Sequence, residues 1–252
     1  MTSVRAAACS VVVMLALLAG CSSSSSPASS PQYQRRGPDS VGVTTLDLGW
    51  AGPEFGERLA TVYYPADPGT VAAHPKFSYT EASTLPKSVQ GILPAKFNTT
   101  TTVDAYAGAP ASKSGPYPIV LFSHGYGGER LYYSTLLTGI AAWGYVVVSA
   151  DYLERGLAAQ VLGTKTKPTA AQDSSIMQSS LTAVERASSQ SGSVLYGVAD
   201  RHRVAAVGHS AGGQTAFDAL AGPTVATAIG WAPVAPAGTP SDKPVMLIGA
   251  DG

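Results

Sequence analysis

Cysteine is nearly absent from this chain of 252 residues, which holds only Cys9 and Cys21. Cys9 falls in an N-terminal stretch that reads as a removable leader, so the mature chain cannot form an intramolecular disulfide. Charge is scarce as well: charged residues make up 13% of the chain, with 16 Lys plus Arg against 16 Asp plus Glu. With no net charge and no basic cluster beyond Arg35-Arg36 and Arg201-His202-Arg203, nucleic acid finds no electrostatic footprint here. No apolar run reaches the roughly 20 residues that a membrane-spanning helix needs. Histidine occurs only as His74, His124, His202 and His209, so none lies beyond residue 209. What is abundant is apolar: hydrophobic residues make up 45% of the chain, enough for a substantial core, and they point to neutral or apolar partners.

The N-terminus has one positive charge within Met1 to Arg5, an apolar run from Val11 to Leu18, and then Leu18-Ala19-Gly20-Cys21. This order is that of a secretory signal closing on small residues. Leu-Ala-Gly-Cys also resembles a bacterial lipobox, in which Cys21 becomes the lipidated first residue of an exported protein held at the cell-envelope membrane by its N-terminal lipid. The alternative is an ordinary signal with an incidental cysteine. From Ser22 to Pro31 the chain is nearly all serine with proline and alanine, a composition that suits a flexible tether. The expected organisation is therefore residues 1–20 as signal, 21–40 as anchor and tether, and 41–252 as one folded domain.

Within that domain, Val41 to Trp50 and Arg58 to Tyr64 read as opening antiparallel strands bounded by turn residues. Asp67 to Gly115 is rich in Pro, Thr, Ala and Gly and reads as a partly irregular insertion over the sheet, either a lid or a surface excursion. Ile119 to Phe122 and Tyr145 to Ser149 are continuous apolar runs, as expected of parallel strands covered on both faces. Between them Tyr133, Leu136, Leu137 and Ile140 recur at helical spacing, and a second helix is predicted around Ile176 to Arg186. Thr227 to Trp231 and Val245 to Ile248 continue the alternation. The fold class is α/β, a doubly wound, mostly parallel sheet with antiparallel first strands.

Two motifs carry chemistry. Arg203 to Gly213 is an apolar strand running through Gly208-His209-Ser210-Ala211-Gly212 into a helix from Ala211 to Leu220, which makes Ser210 a nucleophile on a strand-to-helix elbow. Side chains at Gly208 or Gly212 would collide with neighbouring backbone, and glycine also admits positive φ cheaply. The second is His124-Gly125-Tyr126-Gly127-Gly128, directly after a buried strand. Backbone amides of Tyr126 and Ala211 are the expected pair of oxyanion donors, the second at a helix N-terminus. The competing readings are a structural turn at each place.

With both loops in place the sequence resembles the α/β-hydrolase superfamily, and within it the platelet-activating-factor acetylhydrolase-like, cutinase-like and dienelactone-hydrolase-like esterases. Val62 to Ala66, Tyr117 to Gly128, Trp143 to Val148 and Gly208 to Gly213 carry the resemblance. It implies cleavage of carboxylic esters, whether lipid, short-chain acyl or polyester-like, through an acyl-enzyme on Ser210 and without metal or organic cofactor.

A serine hydroxyl needs a histidine base, and that base needs a carboxylate. The expected chain order is Ser, acid, His, and here the sequence departs from the pattern. Asp251 is the candidate acid or else a turn-forming aspartate, with Asp151 and Asp218 as weaker rivals. His209 reads as a packing or hydrogen-bonding neighbour and His124 as a brace for its own loop, which leaves no base. The expectation is a domain cut before its last helix and strand, weakly active or inactive alone. Acyl transfer to another alcohol, or a non-catalytic binding module that kept the fold, are the alternatives.

Overall fold

The computed structural model describes residues 32–49, 55–164, 167–234 and 242–250; the expected leader, Cys21, the tether as far as Pro31, Trp50 and Asp251 lie outside the described residues. The elements below belong to the unit from Arg36 onward. In chain order they are β1 (Val41–Asp47), β2 (Leu59–Pro65), β3 (Lys76–Thr80), α1 (Glu81–Thr84), α2 (Lys87–Gln90), β4 (Thr100–Ala107), β5 (Tyr117–Ser123), α3 (Ser134–Ala141), β6 (Val146–Ala150), α4 (Leu157–Leu162), α5 (Ala170–Ser189), β7 (Ala199–His209), α6 (Ala211–Asp218), β8 (Val225–Trp231) and β9 (Val245–Ile248).

The strands form one sheet in the order β3-β4-β1-β2-β6-β5-β7-β8-β9. β1 and β2 pair antiparallel, β2 joins β6 antiparallel, and β6, β5, β7, β8 and β9 run parallel. This is the α/β-hydrolase arrangement of a mixed, mostly parallel sheet with antiparallel opening strands. Because successive strand residues face opposite sides, the apolar run of β5 feeds two cores at once. Ile119 and Leu121 pack with Ile176, Leu181 and Val184 of α5 and Phe217 of α6. Val120 and Phe122 point the other way, toward Leu137 and Ala141 of α3 and Val103 and Ala105 of β4.

The segment Asp67 to Gly115 departs from expectation. Rather than lying over the sheet as an irregular insertion, it extends the sheet: β3 and β4 pair antiparallel, and β4 joins β1 in parallel through Gly42 with Tyr106 and Val43 with Ala107. The physical reason is that β4 is half exposed along its length. Val103 and Ala105 are buried while Thr102 and Asp104 face water, so polarity hid a period-two pattern. Asp104, on the exposed side of β4, pairs with both Arg36 and Lys76, the latter on the edge strand β3. The helical pieces of this segment, α1, α2 and short 3-10 turns at Val71–Ala73 and Ala95–Asn98, lie out of the sheet. The helix α4 was not anticipated; it stops at Gly163, whose φ of 62° gives the left-handed cap.

The two neighbours Leu136 and Leu137 test the seating of α3, since Leu137 is fully buried and Leu136 is 39% exposed. Leu137→Ala is expected to lower stability by about 2–5 kcal/mol. Leu136→Ala should stay within about 0.5 kcal/mol. Urea unfolding midpoints of the two variants check this, and similar losses would mean the helix is rotated.

Candidate active site

The strand β7 ends at His209, and α6 begins one residue after Ser210. Ser210 sits between them with φ 53° and ψ −120°, a backbone conformation that non-glycine residues avoid at a cost of about 1–3 kcal/mol. Its amide is fixed by the carbonyl of Trp231 in β8 at 2.8 Å.

The flanking glycines serve close approach. A Cβ at Gly208 would lie 2.0 Å from the Gly212 carbonyl oxygen, and one at Gly212 would lie 2.0 Å from the Ser123 carbonyl oxygen. Neither glycine has positive φ, contrary to the second reason expected from sequence; the strained dihedral belongs to Ser210 itself. The contacts of Gly212 bring the first turn of α6 against the end of β5. At Gly125 a Cβ would stand 3.1 Å from the Ser210 Cβ, so the loop after β5 is seated beside the serine.

Tyr126 and Ala211 therefore lie on the two segments that meet at Ser210. Among the described residues neither backbone amide donates a hydrogen bond to protein, which leaves both open to a ligand oxygen. The adjacent Gly127 amide, by contrast, is spent on the Arg155 carbonyl at 2.9 Å.

Two of the four histidines, His124 and His209, are held by neighbouring groups. His124 is buried; its Nε2 accepts from the Tyr152 amide at 3.2 Å, so Nδ1 carries the proton and donates to the Gly125 carbonyl at 2.8 Å. Burial, reinforced by the nearby Arg155 guanidinium, pushes its pKa down to about 3 and keeps the ring neutral. His124 braces its loop, as the sequence suggested. His209 Nδ1 lies 2.7 Å from the Tyr133 hydroxyl. Tyr133 also packs on Phe122, Trp231 and Tyr132, giving one flank of the site an aromatic wall. Tyr133 precedes α3 as its N-cap instead of lying within it. His202 is exposed on the early part of β7, and His74 sits in the turn before β3.

Of the candidate acids, Asp251 lies outside the described residues. Asp151 is committed to a buried pair with Arg130 at 2.8 Å, and Asp218 accepts from Gln214 on the surface of α6. Among the described residues no three His, Cys, Asp or Glu side chains cluster as metal ligands.

Sequence reasoning missed a group of buried charges behind the loop. Arg58 pairs with Glu154 at 2.6 Å, Arg130 with Asp151, and Arg155 with Asp173. The signal was present: Asp151-Tyr152-Leu153-Glu154-Arg155 concentrates charge at a strand end in a chain poor in charge. Glu129 is the unpaired member. Its carboxylate accepts from the Leu131 amide at 2.6 Å, yet burial, with Asp151 adding and Arg130 opposing, pushes its pKa up to about 7. A cavity of about 520 Å³ lies beyond this cluster between α1–α2 and the start of β2, lined by Leu59, Leu85, Lys87, Arg130 and Asp151 but not by Ser210.

An elbow serine, two amides without a protein acceptor on the segments that meet there and a five-stranded parallel run beneath them are the arrangement of an α/β-hydrolase fold. The chain belongs to the chlorophyllase family, whose sequence profile matches residues 95–238, more than half of its length. A ferulic acid esterase from Streptomyces cinnamoneus, solved at 2.4 Å, is similar in fold over 85% of this chain, with a TM-score of 0.59 and 20% identity. This chain spans 66% of that structure's length.

Gly212→Ala is expected to abolish soluble expression or to lower Tm by well over 10 °C, because the new methyl meets backbone. Gly139→Ala, in α3 with open space around it, should be neutral or stabilising by up to about 1 kcal/mol. Thermal melts of the pair decide. For Glu129 the folded pKa lies above its value in the unfolded chain, so its contribution is fully present below about pH 4.5 and is lost as pH rises through about 7. Glu129→Gln, which keeps the acceptor, should remove that pH slope and leave the variant more stable than the parent at pH 8, by up to roughly 3 kcal/mol. Parallel slopes in urea titrations at pH 5 and 8 would contradict this.

Proposed function

We propose that this chain is the acyl-transfer body of a serine carboxylic-ester hydrolase. Ser210 gives up its proton to a base and attacks the ester carbonyl, and the oxyanion that develops is held by the backbone amides of Tyr126 and Ala211; the ester C–O bond then breaks, the alcohol leaves with that proton, and water hydrolyses the acyl-enzyme to the carboxylic acid and free Ser210. The observation that carries this reading is the pair of unbonded amides on two segments that the Gly125 and Gly212 contacts press together at Ser210. Such donors stabilise charge only where it appears in the transition state, and losing one elsewhere has cost on the order of 3 kcal/mol. The aromatic wall of Tyr133 and Trp231, with exposed Tyr126 and Tyr132 beside it, favours esters with an apolar acyl or alcohol part.

The proton-transfer half of the reaction has no holder among the four histidines as they are placed. The base is therefore assigned to none of these four, and Asp251 is the proposed carboxylate of the triad. A binding module without catalysis would also keep the fold, but it has no use for a strained serine facing two free amides.

The test is an aryl-ester assay and fluorophosphonate labelling of the 252-residue chain beside a longer gene product that carries a histidine on a later loop. The longer protein is expected to turn over short-chain aryl esters and to label at Ser210, with Ser210→Ala losing both. The 252-residue chain is expected to be slower by about 10³-fold or more, since without a base only oxyanion and binding contributions remain. No labelling of the longer protein would favour the binding module, and near-equal turnover of the two would put the base within these residues. Adding an alcohol acceptor and analysing products separates hydrolysis from acyl transfer.

A further inference from the structure

We propose that Arg155 is a positioning residue for the oxyanion donor at Tyr126: it clamps the peptides on either side of the Gly125–Tyr126 peptide and ties them to the nucleophile helix. The inference rests on the esterase reading for its consequence in catalysis, though the clamp itself is a matter of structure.

The Tyr126 amide belongs to the peptide that joins Gly125 to Tyr126. The preceding peptide presents the His124 carbonyl, which accepts from Arg155 Nη2 at 2.9 Å. The following peptide presents the Gly127 amide, which donates to the Arg155 backbone carbonyl at 2.9 Å. One residue thus grips both neighbours of the donor peptide, one through its side chain and one through its main chain. The same Nη2 donates to the Ser123 hydroxyl at 2.6 Å, where β5 hands over to the loop.

The other end of the guanidinium reaches the opposite segment. Nη1 donates to Asp173 in α5 and to the Thr215 hydroxyl in α6 at 3.3 Å. Thr215 stands one helical turn after Ala211 and donates back to the Ala211 carbonyl at 3.2 Å. The guanidinium lies 4.0 Å above the Tyr152 ring, which limits its swing. Arg155 is 1% exposed, so these bonds are made without competition from water.

The consequence is geometric. The separation of the Tyr126 and Ala211 amides is set by the seam where the Ser123 and His124 carbonyls meet Gly212, and a Cβ at Gly212 would lie within 2.0 Å and 2.6 Å of those oxygens. Glycine permits this approach but does not enforce it. A planar fork with donors on both edges enforces it, which a lysine ammonium cannot do. Misplacing one amide by an ångström weakens stabilisation of the transition state while leaving substrate binding nearly intact.

The experiment compares the parent with Arg155→Lys and with the double variant Arg155→Met/Asp173→Leu. The double variant removes both charges together, so no unpaired ion is left buried and the domain can remain folded. NMR hydrogen exchange of the Gly127 and Gly128 amides reads the clamp without needing turnover. Exchange of both is expected to quicken at least tenfold in each variant, while amides in β7 and α5 keep their parent rates. In the turnover-competent longer protein, kcat on an aryl ester should fall about 10²-fold or more with KM changed less than threefold, and Arg155→Lys should recover little of it. Unchanged exchange at Gly127 and Gly128 in a folded variant overturns the clamp. Quickened exchange with kcat unaltered overturns its role in positioning the donor. A parent that fails to hydrolyse esters overturns the preceding functional reading instead, and the exchange rates still decide whether the clamp exists.

Discussion

The site depends on a backbone contact that leaves no room for a single methyl group. At Gly208 and Gly212 the chain crosses itself and then the end of β5 so closely that an added Cβ would meet carbonyl oxygen at 2.0 Å. Because of that contact, α6 can start beside the loop after β5, and Ser210 stands between them with a φ of 53°. Widening the contact would relax the serine and separate the donors together. The strain at Ser210 is therefore sustained by the sheet through packing on two cores and the Ser210–Trp231 bond.

Charge is the second constraint. A chain with so little charge places three arginine–carboxylate pairs in its interior, each with a member from Asp151 to Arg155. Such pairs give little net stability, because the desolvation of each ion offsets the attraction. What they supply is direction. Arg130 donates to Thr84 at the end of α1 as well as to Asp151, so the helices outside the sheet are bound to the loop after β5 through one guanidinium. Arg58 donates to the Asp151 carbonyl from the start of β2. The segment after β6 thereby becomes the hub through which the first strands, the outer helices and the oxyanion loop share one frame.

How much of this was legible in the sequence follows from where each residue's energy lies. The strands β5, β6 and β7 announce themselves because both faces are buried, and continuous Val, Ile and Leu have no other use at such short length. The elbow is legible because close approach demands glycine at fixed offsets from the serine. The strands β3 and β4 were not, since one face of β4 meets water and its threonines read as loop. The arginine clamp was not legible for a different reason: Arg155 meets Ser123, Asp173 and Thr215 across 32, 18 and 60 residues, and no local spacing encodes such pairs. Tyr133 was misjudged in role, because helical spacing names a face but not the histidine that its hydroxyl meets.

On the reading proposed above, the two halves of acyl-transfer chemistry are built by different means. Oxyanion donors are main-chain groups, so on that reading they come with the packing of β5, β7 and α6, whatever side chains surround them. A base is a side chain that must arrive from another loop with its lone pair free. His124 and His209 show the difficulty of recruiting one locally. The first has its Nε2 occupied by a backbone amide, and the second faces Tyr133. Both are engaged in holding the loops and walls that the donor half requires, and freeing either to take a proton would loosen the structure it braces. On the reading proposed above, evolution of substrate preference can then act on the side chains of the aromatic wall and on the cavity by α1 and α2 without disturbing the donors, since what meets Ser210 from the wall is the main-chain carbonyl of Trp231, which any side chain keeps.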